Sequence, residues 1–261
     1  MKRIDFEKLH RQRKPLVMPN VWDVKSAKVF EKLNFSALGT SSAAIADMLG
    51  YEDGERLTFS ELEYIVSRIT SNTTLPLSVD IESGYSRNIS IILNNIKRLH
   101  DLHVVGINIE DSFVDSQRHL FSIDKFTSMI AVIQTYLKKN DINIFLNVRI
   151  DTFLLGVPNM LSETIKRVSI YEKAGADGVF VPCIENEADI SKVVQATKLP
   201  LNVMCMPNLP DFEKLGKLGV KRISMGNFLH QSIYHQLEQT ALNIIKQGSF
   251  KTIFKSHVDN Q

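Results

Sequence analysis

Cysteine is nearly missing from this chain: 261 residues hold only Cys183 and Cys205. A chain this long buries a core of its own, so it needs no disulfide framework, and a reducing compartment suits it. No apolar run approaches the roughly 18 residues of a membrane span. The N-terminus, MKRIDFEKLHRQRKP, is charged and leads into no signal-peptide core, which points to a cytoplasmic protein with no membrane partner. Excess charge is lacking too. Lys and Arg number 31 against 29 Asp and Glu, a formal net charge of +2. With no basic stripe interleaved with aromatics, nucleic acid is not an expected partner. Twelve glycines and eight prolines are spread without a linker or low-complexity tract, and 44% of the residues are hydrophobic. That composition belongs to a folded globular protein.

What is present is a repeating alternation. Eight short apolar runs (15–22, 37–42, 77–82, 104–110, 142–151, 178–183, 201–205 and 221–226) are separated by stretches of helical period, among them 23–33, 60–71, 89–102, 123–139, 161–174, 188–197 and 211–218. A final helix is expected over 230–244. The runs are continuously apolar, without strict alternation, which implies strands buried on both faces, as in a parallel sheet covered by helices. Eight such units over this length predict one closed (β/α)8 barrel of the TIM type spanning residues 1–261, with short terminal extensions. A doubly wound open sheet is the alternative, weakened by the absence of G-x-G-x-x-G and of a phosphate-binding P-loop. Gly175 and Gly219 follow helical runs, where a left-handed C-cap favours glycine.

Active sites of such barrels form at the C-terminal ends of the strands, so polar residues there are site candidates. Strand two ends in Thr40, Ser41 and Ser42; strand three in Asp80, Ile81 and Glu82, followed by Ser83, Gly84 and Tyr85; strand four in Asn108, Ile109, Glu110 and Asp111; strand five in Asn147, Val148, Arg149, Ile150 and Asp151. Strand periodicity puts Asp80 with Glu82, Asn108 with Glu110, and Asn147 with Arg149 and Asp151. Carboxylates converging on one mouth repel unless a cation sits among them, and oxygen ligands select a hard ion, Mg2+ or in its place Mn2+. Asp80 is the expected direct ligand, with Glu82 and Glu110 holding coordinated waters. Arg149 offers a fork to an anionic substrate, and Asp151 reads as the carboxylate that orients it. A polar barrel layer with purely structural ion pairs is the alternative for the same residues. The seven histidines read as solvated, and Cys183 and Cys205 as small buried apolar residues. Asn202, Ser224 and Asn227 are strand-end residues with either a structural or a binding role.

Taken in order, PNVWDVKSAKVFEKLNFSALGTSSAAIADMLGYEDG, LSVDIESGY, VVGINIEDS, NVRIDTFLLG and YEKAGADGVFVP resemble the isocitrate lyase and phosphoenolpyruvate mutase superfamily from about Pro15 to about Leu229. The resemblance implies an α/β barrel whose eighth helix is exchanged with a neighbouring subunit, hence a homodimer or homotetramer. It also implies Mg2+ and an enolate intermediate formed from a pyruvate-like acid. Carried onto this chain, it gives Asp80 to the metal, Glu82 and Glu110 to metal contacts, and Asp53 to the acid near the metal's waters. Arg149 matches the arginine that grips a substrate carboxylate or phosphonate. Ser41, Ser42 and Ala43 match the loop that holds the pyruvyl carboxylate and oxygen, and Gly84 and Tyr85 sit in the matching turn. Glu82 stands where the family usually has Asp, and Ser42 where it often has Gly.

The segment after Glu110 departs from the family. It reads DSFVDSQRHLFSIDKF, with no Cys, no Gly and no Lys before Lys125. The Cys loop of the carbon–carbon lyases and the Lys plus Asn set of the phosphonate mutases are both absent, and the sequence resembles the phosphonomutase-like branch. What remains binds a 2-oxo acid and stabilises an enolate. Decarboxylation needs mainly that, so the expectation is a Mg2+-dependent enolate-forming lyase that decarboxylates or cleaves a small 2-oxo acid, with Arg118 or His119 available from the short loop. A phosphonate P–C mutase or hydrolase, and a non-catalytic metabolite-binding barrel, are the alternatives.

Overall fold

A computed structural model of the protein describes residues 3–255. Its main sheet is parallel throughout. It runs β1 (Leu16–Met18), β11 (Arg222–Ser224), β10 (Leu201–Met204), β9 (Gly178–Phe180), β8 (Phe145–Arg149), β5 (Gly106–Glu110), β4 (Leu77–Asp80), β3 (Leu38–Thr40) and β2 (Asn20–Val21). β1 and β2 are one strand interrupted at Pro19, which has no N–H to give a ladder. Its first half pairs with β11 and its second half with β3, so this strand joins the two edges of the sheet. Nine segments therefore make the eight staves of a TIM-type barrel, and the edges are consumed by closure. The expected fold class is the observed one.

Helices α2 (Val24–Lys32), α4 (Phe59–Thr70), α5 (Ile89–Asp101), α6 (Ile123–Lys139), α7 (Met160–Ala174), α8 (Glu187–Gln195) and α9 (Phe212–Leu218) connect the strands. Local chemistry sets their ends: Asp23 with Ser26, and Thr58 with Glu61, form capping boxes. Gly175 and Gly219 close α7 and α9 at φ of 107° and 97°, the left-handed C-caps read from the sequence. Compact packing divides the chain after Gly226, and the second unit consists of α10 (Phe228–Gln247) and α11 (Lys251–Lys255). Among the described residues no helix is long and apolar enough to cross a membrane.

Besides α11, two helices and one hairpin were not read from the sequence. α1 (Arg3–Leu9) sits at the N-terminal end of the barrel, where Phe6 joins a buried cluster with Leu16, Met18, Ala37, Val105 and Phe145. α3 (Ser42–Met48) begins where a loop was expected, with Ser41 as its N-cap. The segment after Glu110 is an antiparallel hairpin of β6 (Ser112–Val114) and β7 (Arg118–Leu120). Two readings of single residues are corrected. Cys205 is exposed and Cys183 only half-buried, because both lie past the ends of β10 and β9 in connecting turns. His10 and His230 are buried, not solvated.

His10 stacks on Phe145 at 4.7 Å and meets Phe6 edge-on, with its Nδ1 3.1 Å from the Phe6 carbonyl. Burial, and secondarily the Arg222 charge, push its pKa down to about 3. The native state thus holds it neutral while the unfolded chain does not. Its stabilising contribution is complete above the unfolded value of about 6.5 and is lost as pH falls from there toward about 3, by at most roughly 1.4 kcal/mol per unit. Urea titrations at about pH 7 and about pH 5 should show a loss of stability in the wild type that is smaller by on the order of 1–2 kcal/mol in His10→Gln.

Candidate active site

The mouth is assembled by strand register. In the parallel pair β5 and β8, Glu110 lies opposite Arg149, and in β4 and β5, Asp80 lies opposite Asn108. Both carboxylates therefore end buried strands, with Glu110 two residues further along β5 than the partner of Asp80. Asp80 accepts a 2.8 Å hydrogen bond from Ser42 Oγ at the start of α3, and its own N–H donates to Thr40 Oγ1 at 2.9 Å. β4 ends at Asp80, so Glu82 does not reach the mouth by strand alternation as expected. The chain turns there into the left-handed region, with φ of 47° at Glu82, 106° at Gly84 and 58° at Tyr85. Non-glycine residues in this region store strain of order 1 kcal/mol each, a cost that recurs at functional sites.

That turn is held from both sides. The Glu82 carbonyl accepts the Glu110 N–H at 2.8 Å, and Glu82 N–H donates to Asp80 Oδ1 at 3.3 Å. The Glu82 carboxylate accepts the Glu55 N–H at 2.7 Å and the Tyr85 hydroxyl at 3.1 Å. Glu55 in turn accepts from Ser83 Oγ at 2.9 Å and Tyr85 N–H at 2.6 Å, and pairs with Arg87 at 2.8 Å. Sequence reading missed Glu55. It lies two residues after Asp53 in YEDGE, and nothing local reveals that the segment folds against residues 82–87.

Arg149 turns its Nε and Nη2 edge to Asp151, at 2.6 and 3.3 Å, and leaves Nη1 3.1 Å from Glu110 Oε2. Arg118, from the hairpin, binds the other oxygen of Glu110, with Ser112 Oγ at 3.1 Å and Asp53 Oδ2 at 2.9 Å. Ser112 Oγ also donates to Asp151 Oδ2 at 2.5 Å. Outside this ring, Asp111 is taken by Arg167 at 2.8 Å and by Tyr171, while its Oδ1 accepts the Asp151 N–H. Below it, Asn147 bridges Asn108 and Asn202, and Asn202 reaches Ser224 Oγ. Asn202 and Ser224 therefore belong to an interior polar layer. Asn227 precedes α10 in the other compact unit.

Acids outnumber cations here. Burial, with Asp53, Asp80 and Glu55 adding like charge, pushes the Glu82 carboxyl up to about 8. Burial likewise raises Asp80 against the pull of Arg149, and raises Glu110 well above the carboxylate range against Arg149 and Arg118. Burial opposes the charge of Arg149 as well, but Asp151, Glu110 and Asp80 outweigh it and hold the guanidinium well above its ordinary value. Beneath them Arg222, buried and bonded only to Asn108 at 3.3 Å, is pushed down to about 9 by burial despite Asp80. Burial is the first cause of each rise, and a divalent cation held among these carboxyls would lower all three.

The donor set is all oxygen and suits Mg2+ or Mn2+. Glu110 Oε2 is buried and, among the described residues, is ion-paired with Arg149 Nη1 but accepts no hydrogen bond, so it has a lone pair to give. Among the described residues, however, no three His, Cys, Asp or Glu side chains form a ready-made coordination sphere. Asp80, Glu82, Glu110, Asp53, Arg149, Ser42 and Tyr85 are connected at this mouth through the bonds above, and Ser41 is not. The Ser41 hydroxyl is spent on the Ala44 N–H at 3.3 Å, and Ala43 lies in the first turn of α3.

Residues 6–245 match the family model described as phosphoenolpyruvate phosphomutase, and the chain belongs to that family of enzymes. It is 33% identical over 224 residues to a protein of Mycobacterium tuberculosis strain H37Rv, covering 86% of this chain and 82% of that one. It is 28% identical to an oxaloacetate decarboxylase of Pseudomonas entomophila strain L48, over 80% of this chain and 72% of the relative. A solved structure from Burkholderia cenocepacia J2315, assigned by inference as a phosphonomutase, superposes with a TM-score of 0.84 at 33% identity, over 94% of this chain and 99% of that one.

The crowding of acids has a measurable sign. A Glu82 pKa raised to about 8 means that the folded state favours the protonated form. Its contribution is complete below the ordinary value of about 4.5 and is lost as pH rises through about 8. With divalent cations chelated, Glu82→Gln should be more stable than wild type at about pH 9, by on the order of 2–4 kcal/mol, with the gain vanishing near pH ~5. Denaturant midpoints at the two pH values measure this.

Proposed function

We propose that this protein is a Mg2+-dependent, enolate-forming lyase of a small 2-oxo acid, and that its reaction is the decarboxylation of an oxaloacetate-like acid. The observation that carries the reading is the joint presence, at one barrel mouth, of a cation-deficient oxygen cluster and the Glu110–Arg149 register pair. The missing Cys after Glu110 and the likeness to an oxaloacetate decarboxylase support this chemistry over hydroxyacid cleavage. Asp80 would hold the metal directly, with Glu82, Glu110 and Asp53 taking its waters; Mn2+ suits the same donors. When bound, the ion supplies Lewis-acid stabilisation of charge developing on the 2-oxo oxygen.

The chain's own groups do the rest. The hydroxyl of Ser42 and the first-turn N–H groups near Ser41 and Ala43 receive the pyruvyl end, Arg149 grips a carboxylate, and Tyr85 closes the side next to Glu82. The C3–C4 bond breaks, CO2 leaves, and the electron pair passes into the 2-oxo group as an enolate that takes one proton at C3 to give a pyruvate-type product. No acid is required for the leaving group, which is consistent with the segment after Glu110 lacking the Cys of the family's carbon–carbon lyases. A phosphonopyruvate substrate would use the same metal and arginine, and the likeness to the Burkholderia protein makes it the second reading.

The whole chain acts in this proposal as one barrel with the terminal helix exchanged between subunits of a homodimer or homotetramer in the cytoplasm. In α10, Ile233, Leu237 and Ile245 are 53%, 60% and 78% exposed, an apolar stripe that exchange would cover. Light scattering should therefore give a dimer or tetramer, and the double change Ile233→Asp with Leu237→Asp should yield monomers; an unaltered mass would refute exchange.

Activity is tested by incubating the purified protein with Mg2+ and oxaloacetate, and separately with phosphonopyruvate, following pyruvate, CO2 and phosphate. Asp80→Ala and Arg149→Ala should each lower kcat/KM by at least roughly 10³-fold with the fold retained. Chelation should abolish turnover and Mg2+ restore it. Binding of oxalate without turnover of any 2-oxo acid would favour a non-catalytic barrel.

A further inference from the structure

Arg118 is the feature of the mouth that the reaction above leaves unused. The hairpin that carries it lies hard against the loop containing Asp53. Gly54, at φ of 105°, faces Val114 so closely that a Cβ would fall 2.8 Å from Val114 Cγ2, and Arg56 binds the Asp115 carbonyl at 3.1 Å. Arg118 is thereby brought over the mouth beside Arg149. The two guanidiniums take opposite oxygens of the same Glu110 carboxylate, which keeps the facing nitrogens within roughly 8 Å of each other. Arg118 and Arg149 side chains are 16% and 14% exposed, so both retain an open side.

Both also keep donors in reserve. A guanidinium has five N–H bonds. Arg118 spends its Nη1 on Glu110 and Ser112 and one Nη2 hydrogen on Asp53, while Arg149 spends Nε and one Nη2 hydrogen on Asp151. Two cations at this spacing repel, and they suit a ligand with two negative groups separated by a short carbon chain.

We infer that Arg118 is a specificity-determining residue that binds the second anionic group of the substrate, so that the site selects 2-oxo acids carrying a carboxylate or phosphonate at C3 over 2-oxo monocarboxylates. This rests on the proposed 2-oxo acid chemistry and deepens it. A C4 carboxylate departs as neutral CO2, so a grip on it weakens toward the transition state. Arg118 therefore contributes to substrate binding and not to the rate of the bound complex.

The test is steady-state kinetics in Mg2+ of wild type, Arg118→Gln and Arg118→Lys on oxaloacetate and phosphonopyruvate, with inhibition by oxalate and by 2-oxobutyrate, which has no group to lose from C3, measured in parallel. Oxalate fills only the two-carbon end and reports an intact site. Arg118→Gln should raise KM for the dianion that wild type uses by roughly tenfold or more, with kcat within about threefold and oxalate inhibition within about threefold; Arg118→Lys should recover part of the loss. The wild-type KM for the dianion should lie well below the inhibition constant of 2-oxobutyrate, and Arg118→Gln should narrow that gap. Whichever of oxaloacetate or phosphonopyruvate shows the effect identifies the second group. An unchanged KM, a fall in kcat alone, or an equal loss of oxalate and substrate binding would overturn the assignment. A wild type that turns over none of these acids and ignores oxalate would instead overturn the functional reading on which it rests.

Discussion

The excess of buried carboxylates over cations at the C-terminal mouth is the constraint around which the rest is arranged. Desolvation alone makes a buried carboxylate expensive, and several together are tolerable only if each is protonated, bonded or shared. The structure uses all three responses. Glu82 is pushed up to about 8, Asp111 is given to Arg167 and Tyr171, and Glu110 is shared between Arg149 and Arg118. Even the strained turn from Glu82 to Tyr85 follows from this, because only a reversal of the chain lets Glu82 meet the Glu55 N–H and Tyr85 hydroxyl on one side and the β5 ladder on the other.

Barrel closure supplies the precision that such a cluster needs. Parallel register fixes Glu110 opposite Arg149, and the break at Pro19 lets one strand pair with both neighbours. Charges set on strand ends move less than charges on loops, so the ion pairs keep their geometry when a ligand enters. Loops still complete the site. Asp53, Glu55 and Arg118 come from connecting segments that bind each other, the turn after β4 and, through Arg118, Glu110 at the end of β5.

The chemistry assigned to this mouth divides along the same line. In the proposed reaction the strand-end residues Asp80, Glu110 and Arg149 would carry what any 2-oxo acid requires, namely charge stabilisation at the reacting end. The hairpin after β5 would carry what distinguishes one acid from another. A family can keep the first set on its barrel and vary the second by exchanging a short connection, as the absence of both the Cys loop and the Lys plus Asn set in this chain illustrates.

By itself the sequence determined the barrel, since eight doubly buried apolar runs separated by helical periods admit few other packings, and glycine stops such as Gly175 and Gly219 are local chemistry. It also determined that Asp80, Glu110 and Arg149 end strands, whereas Glu82, Asp111 and Asp151, read on the same strands, lie past their ends. α1, α3 and the hairpin escaped it. Seven-residue helices and three-residue strands have too few periods to stand out, and their stability comes from what they dock against. Tertiary structure alone decided that Glu55 organises the turn, that His10 is a buried neutral ring, and that Arg118 shares Glu110 with Arg149. Each of those depends on segments far apart in the chain meeting in a low-dielectric place, where a charge's state is set by its neighbours and not by its sequence context.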